Sequence, residues 1–169
     1  ILIMPIIRFI KKKLSFVKTI NYYIIDFITF ISGKRNPLIP PKRMIFIGSG
    51  DYIKIGKEFQ KYFIDHGKLK ITDCVLDVGC GIGRMALPLT SYLSKQGKYE
   101  GFDIVPKGID WCKKNIGSKY PNFNFQLADI YNKFYNPNGK SISSEYVFPY
   151  EDESFDFVFL TSVFSHMLA

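Results

Sequence analysis

Cysteine, histidine and tryptophan are scarce in this chain of 169 residues, at three, two and one. Cys74, Cys80 and Cys112 are odd in number and share no CxxC spacing. That excludes a disulfide framework and a thiolate metal clamp, so no metal is expected, and it fits a reducing, cytoplasmic compartment. No stretch reaches the ~18 uncharged apolar residues of a membrane span, because Lys18 and Asp26 interrupt the most apolar region. A short apolar run followed by a small-residue cleavage site is not evident either, which argues against a signal peptide. Internal repeats and low-complexity segments are lacking. Acidic residues are almost missing from residues 1–43, which hold nine cations and one anion, Asp26. The whole formal charge of +8 therefore belongs to that arm, and the other 126 residues balance at 14 against 14. A nucleic-acid-binding body is not indicated, and no nucleic-acid partner is expected.

What the chain does have is apolar and aromatic mass: 47% hydrophobic residues, with 16 Phe, 11 Tyr and 1 Trp. This is ample for a packed core and excludes disorder, collagen-like repeats and disulfide-stapled miniproteins. In the arm, Ile10, Leu14, Val17, Ile20, Ile24, Phe27 and Ile31 recur at intervals of three or four, one face of a helix, with Lys11, Lys12, Lys13 and Lys18 mostly off it. Two main readings stand: a helix packing on the body or a partner, or an amphipathic helix (residues 1–32) lying on an anionic membrane surface. A mis-assigned start is a third, since the chain opens on Ile1 and its first methionine is Met4. The prolines of Asn36-Pro37-Leu38-Ile39-Pro40-Pro41 block helix and mark a linker. The expected domains are a helical arm with its linker, 1–43, and a body, 44–169.

In the body, a helix is predicted from about Asp51 to His66, with Gly67 as its stop. Strands and helices then alternate: strand Cys74–Val78, helix Met85–Leu93, strand Tyr99–Ile104, helix Lys107–Asn115, and strands Asn122–Leu127 and Phe155–Leu160. Alternation of this kind argues for an α/β, doubly wound, mainly parallel sheet, here with about four strands.

The most informative stretch is Val75-Leu76-Asp77-Val78-Gly79-Cys80-Gly81-Ile82-Gly83-Arg84. A buried strand ends in a carboxylate, glycines alternate, and a helix begins, so a ligand can approach backbone N–H groups at a positive helix end. Arg84 occupies the sixth place of a G-x-G-x-x-G/A dinucleotide fingerprint, which disfavours a nicotinamide-dependent oxidoreductase. The Gly-Lys-Ser/Thr of a phosphate loop is absent as well. Asp77 puts negative charge beside the loop, which repels a pyrophosphate and suits an ammonium or sulfonium group.

With these residues in place, the chain over roughly 45–169 resembles class I S-adenosylmethionine-dependent methyltransferases, whose fold is Rossmann-like. Asp77, Gly79, Gly81 and Gly83, with Cys80 inside the loop, match the first motif, which in that family cradles the methionine part of the cofactor. Asp103 matches the acid that grips the ribose hydroxyls, and Ile104 would flank the adenine. Asp129, beside Ile130, matches the acid facing the adenine amino group. Thr161 to His166 stand where the family lines its active-site floor. The resemblance thus implies S-adenosyl-L-methionine as cofactor. An Asp after a strand is often only a helix cap or turn former; three of them, each 26 residues from the next and beside the glycine loop, make the match specific. Arg84 is open between neutralising Asp77 or a substrate carboxylate and plain solvation, and small-residue packing suits Cys80 better than reactivity.

Methyl transfer from a sulfonium is an in-line displacement, so alignment and a dry pocket are the main demands. His166 is the candidate general base where a nucleophile must lose a proton. Leu160-Thr161-Ser162-Val163 lacks the Asn/Asp-Pro-Pro-Tyr of nucleobase and glutamine nitrogen methylators. The expected acceptor is therefore an oxygen or carbon nucleophile of a small molecule, glycan or lipid. The Tyr131–Val147 excursion reads as a cap over the pocket or as a surface loop. Four strands where the family has seven, and an apolar run just before Ala169, lead to the expectation of truncation after the fourth strand, which would leave that strand an exposed apolar edge. The competing reading is a non-catalytic cofactor-binding fragment whose basic arm docks on a partner or membrane.

Overall fold

The computed structural model describes residues 3–163 except 34, 47 and 49; for 3–12, 14–16 and 18 it describes the backbone alone. The chain divides into two units, residues 1–48 and 49–169.

In the first unit a single helix, α1 (Ile3–Ile31), is followed by turns and a 3-10 turn at Lys42–Met44. Asp26, the one acid of this unit, is buried. Its Oδ1 accepts the Lys42 backbone N–H at 2.6 Å, and its Oδ2 accepts those of Arg43 N and Nη1 at 3.3 and 3.1 Å. This carboxylate ties the linker back onto the helix. Of the expected apolar stripe, Val17, Ile20, Ile24, Phe27 and Ile31 are all exposed. Among the described residues no helix is long and apolar enough to cross a membrane.

The second unit opens with α2 (Tyr52–Asp65), capped by Asp51, whose side chain accepts Ile53 N–H and Lys54 N–H at 2.9 Å. Gly67 follows, as expected for a stop, but the left-handed residue here is Lys68, at φ 59°. Gly67 is needed for space: a Cβ there would stand 2.6 Å from the Phe157 ring. Strands β1 (Cys74–Val78), β2 (Lys98–Asp103), β3 (Phe123–Leu127) and β4 (Phe157–Leu160) form one parallel sheet in the order β3-β2-β1-β4. This is the Rossmann-like α/β fold expected, with strand boundaries within two residues of those read from the sequence.

Two helices differ from expectation. The predicted helix Met85–Leu93 shrinks to one turn, α3 (Ala86–Leu89), flanked by turns. Pro88 donates no hydrogen bond, and the Thr90 and Ser91 hydroxyls bond back to Leu87 O and Pro88 O, competing with regular helix. The predicted helix Lys107–Asn115 is α4 (Pro106–Cys112), with proline in its first turn, widening into a π-helical turn at Lys113–Gly117.

Register assigns each face of the sheet. Val75, Tyr99, Phe123 and Phe157 lie in one row, Asp77, Gly101, Phe125 and Phe159 in the next, on the same face. There Tyr99 stacks on Phe123, and Phe63 of α2 meets Phe157 and Phe159. On the other face, Leu76, Val78 and Phe102 form a cluster with Ala128, covered by Tyr146, Tyr150 and Phe155. The 131–147 excursion therefore sends Tyr146 onto the sheet, while Tyr131, Phe134 and Val147 remain exposed. At the β4 edge, Val158 and Leu160 are exposed too.

Candidate functional site

The site is built where β1 and β2 end side by side. Gly79 N–H and Cys80 N–H both donate to Phe102 O, at 2.9 and 3.0 Å, so the loop leaves β1 still hydrogen-bonded to β2. It then alternates through left-handed glycines, with φ of 83°, 59° and 77° at Gly79, Gly81 and Gly83. Other residue types adopt this backbone only at a cost, which is why the pattern demands glycine at every second place. Gly79 also lies beneath the segment after β4, since a Cβ there would sit 2.5 Å from Val163 Cγ2.

Asp103 fixes the loop from the β2 side. Its buried carboxylate accepts Gly81 N–H through Oδ2 and Val105 N–H through Oδ1, both at 2.8 Å. Burial pushes its pKa up, while amide donors from Val105, Gly81 and Ile104 pull it back. The Asp103 carbonyl accepts Ala128 N–H at 3.0 Å, which brings the end of β3 alongside.

Asp77 lies wholly out of solvent. Tyr99 donates its hydroxyl to Oδ2 at 2.5 Å, whereas Oδ1 is buried with no partner. Burial raises the carboxyl to about 7, the Tyr99 hydroxyl opposing and Asp103 adding to the rise. The negative charge expected beside the loop is thus held beneath it and is only partly developed near neutral pH. Cys80 and Cys112 are buried, with thiols pushed up by burial first of all, which fits packing and not reactivity.

The remaining sequence-predicted residues surround this centre less closely. Ile104 and Ile130 are partly buried against the Leu76–Phe102 cluster. The Asp129 carboxylate is 41% exposed, 3.9 Å from Lys140 Nζ, and its backbone carbonyl accepts Lys140 N–H and Ser141 N–H. Thr161 follows Leu160, which pairs with Val78, so it stands beside the start of the loop. His166 lies outside the described residues. A groove of about 350 Å³ at the β3 edge, lined in part by Glu100, Lys113 and Asn124, shares no lining residue with the loop. Among the described residues no cluster of metal-ligating side chains occurs.

Two supporting residues escape a motif search. Tyr52, at the start of α2, donates its hydroxyl to Ile82 O at 2.9 Å in the interior of the loop. Gly56, one turn on, lets α2 approach closely, because a Cβ would stand 2.5 Å from Arg84 O. The Arg84 guanidinium lies 5.9 Å from the Tyr52 ring. Tyr99 is the other: period-two alternation puts it on the Asp77 face one row below, the signal that could have found it. An unpartnered buried carboxylate oxygen, left-handed glycines at alternate positions and a second carboxylate on the loop amides fit a small polar ligand that carries a cationic group.

Comparison with known proteins places this geometry. The chain is 25% identical over 59 residues to a probable cobalt-precorrin-6B C(15)-methyltransferase (decarboxylating) of Thermoplasma acidophilum, 34% of this chain and 29% of that protein. It spans under a third of that relative's length. Among solved structures, a protein of Pyrococcus horikoshii OT3 is similar at 20% identity and a TM-score of 0.46, over 68% of this chain and 45% of that one. A methyltransferase of Aquifex aeolicus described as SAM dependent is similar at 23% identity and a TM-score of 0.38, over 66% and 57%. Residues 75–169, more than half the chain, match the family described as a methyltransferase domain. The glycine loop and all three aspartates fall within that match, and the chain belongs to the methyltransferase domain family.

Proposed function

We propose that this protein binds S-adenosylmethionine on the β1–β2 side of its sheet and serves methyl transfer to an oxygen or carbon nucleophile of a small molecule, glycan or lipid. The observation that carries the reading is the Asp77–loop–Asp103 arrangement, in which one carboxylate keeps an unpartnered buried oxygen and the other fixes the glycine loop through the Gly81 amide. When bound, the cofactor supplies a sulfonium-activated methyl group. The chain's own residues bind and orient. Gly79, Gly81 and Gly83 supply the left-handed backbone of the loop and let Val163, Ile116 and Cys112 pack closely around it, and Cys80 packs the loop against Gly101. Asp77 would favour a cationic group through its charge from beneath the loop, and Asp103, already fixed by two amides, would accept ribose hydroxyls with its remaining lone pairs. Ile104 and Ile130 would flank the adenine, Asp129 its amino group, and Thr161 the methionine side. His166 is assigned the general base for a nucleophile that must shed a proton. A carbon acceptor has a parallel in the name of the Thermoplasma relative. Three free thiols support a cytoplasmic setting.

Isothermal titration of S-adenosylhomocysteine into the full chain, with Asp103→Ala in parallel, tests the reading. Saturable binding that weakens at least about tenfold in the variant is expected. No binding by a chain whose circular dichroism shows it folded would overturn it.

A further inference from the structure

We propose that α1 is an interfacial anchor that lies flat on an anionic lipid bilayer. At about 100° per residue, Val17, Ile20, Ile24, Phe27, Ile28 and Ile31 share an arc of roughly 100°. All are exposed, from 44% at Ile20 to 65% at Val17. Asp26 lies roughly 150° from the middle of that arc, and it is the residue that turns inward to the linker. The linker therefore covers the opposite side of the helix and leaves the apolar arc outside.

Charge identifies the occupant. Residues 1–43 carry nine cations, and their one anion is neutralised within the unit by Arg43 at 3.1 Å and by two backbone amides. Nothing acidic is left on the outside of this unit to repel phosphate head groups. Lys11, Lys12, Lys13 and Lys18 precede the uncharged apolar stretch and Arg35 follows it, so cations flank the arc at both ends. Tyr23, exposed and stacked under the Arg43 guanidinium at 5.2 Å, suits the boundary between lipid and water. The stretch between Lys18 and Lys34 is too short, and interrupted by Asp26, to span a bilayer of about 30 Å. An amphipathic helix of this composition binds in the plane of the interface, by apolar insertion and attraction to anionic lipid together.

Flotation of the full chain with vesicles of phosphatidylcholine alone, or with about a third phosphatidylglycerol, tests this. Partitioning to anionic vesicles should exceed that to neutral ones by about tenfold or more, and fall steeply between about 0.1 M and 1 M salt. Ile24→Ser with Phe27→Ser should lose at least about tenfold, with the thermal transition of the body unchanged because neither side chain is buried. Lys11→Gln and Lys12→Gln, which leave the apolar arc intact, should each cost about fivefold on anionic vesicles only. Equal partitioning to both vesicle types, no flotation by a folded chain, or the serine pair and both glutamine variants floating like the parent would overturn the proposal. So would a dimer in lipid-free solution that the serine pair dissociates, found with no lipid binding, since the arc would then be covered by a second copy.

Discussion

Replacing Asp77 by Asn should stabilise the protein while it weakens cofactor binding. In the unfolded chain this carboxyl titrates near its ordinary value of 3.8; in the fold, burial moves it to about 7. A group whose folded pKa is raised binds more protons in the native state across that interval, so native stability declines as pH climbs from about 4 to 7. A rise of about three pH units corresponds to about 4 kcal/mol, an upper figure that water entry or rearrangement would reduce. Asparagine never ionises, keeps nearly the same volume, and still offers Tyr99 a carbonyl acceptor in place of Oδ2. The two proteins should therefore be nearly equal in stability at pH 4 and diverge to a few kcal/mol by pH 8, the variant melting on the order of 10 °C higher. Urea unfolding followed by the fluorescence of Trp111, buried on α4, reads the gap at each pH. Titration with S-adenosylhomocysteine at pH 8 should show the opposite sign, a loss of about tenfold or more. A gap that does not change with pH, or a variant less stable at pH 8, would refute the reasoning, because the native carboxylate would then be paired and ionised.

Asp103→Ala should cost about 2 kcal/mol in urea unfolding, because the Gly81 and Val105 amides lose a charged acceptor. Tyr52→Phe should cost about 1 kcal/mol by the same measurement, leaving the Ile82 carbonyl without its donor, and should weaken S-adenosylhomocysteine binding although Tyr52 belongs to no loop motif. Gly79→Ala, forced to φ 83° with Cβ against Val163, should destabilise by about 2 kcal/mol and abolish binding in the same titration. A thiol reagent at pH 8 should label Cys74 slowly and spare Cys80 and Cys112, all three reacting in denaturant; fast reaction at Cys80 would contradict its burial.

The sheet was legible because its signals are local. Cys74–Val78 is a short run, apolar but for Asp77 and closed by glycines, which is the pattern of a buried parallel strand. The glycine loop was legible for a related reason, since left-handed backbone at alternate positions admits few residues besides glycine. What escaped depends on pairs far apart in the chain. Tyr99 and Asp77 are 22 residues apart, Tyr52 and Ile82 are 30, and Asp26 meets Arg43 across 17. Period-two alternation puts Tyr99 on the Asp77 face, but only the register between β1 and β2 shows that its hydroxyl reaches that carboxylate. The predicted helix at Met85–Leu93 shortens through competition, because Thr90 and Ser91 turn their hydroxyls onto the backbone.

The three aspartates illustrate how sheet order separates residues that look equivalent in sequence. Each stands at or near the C-terminal end of a strand, each is 26 residues from the next, and nothing in that spacing ranks them. Position in the β3-β2-β1-β4 order does. Asp77 lies inside β1, one residue before its end, with a strand on either side, so it is sealed from water and its charge is costly. Asp103 ends β2 under the glycine loop, where amide donors compensate for its burial. Asp129 follows the edge strand β3 and is 41% exposed, so its contact with Lys140 is screened and contributes little. Substitution should then trade stability against binding differently at each. Losing the carboxylate gains stability at Asp77, costs it at Asp103, and leaves it nearly unchanged at Asp129, while cofactor affinity falls in all three. A stability change that differs in sign and size from one aspartate to the next, set against a loss of binding at all three, is the signature of acids that share a ligand and not an environment.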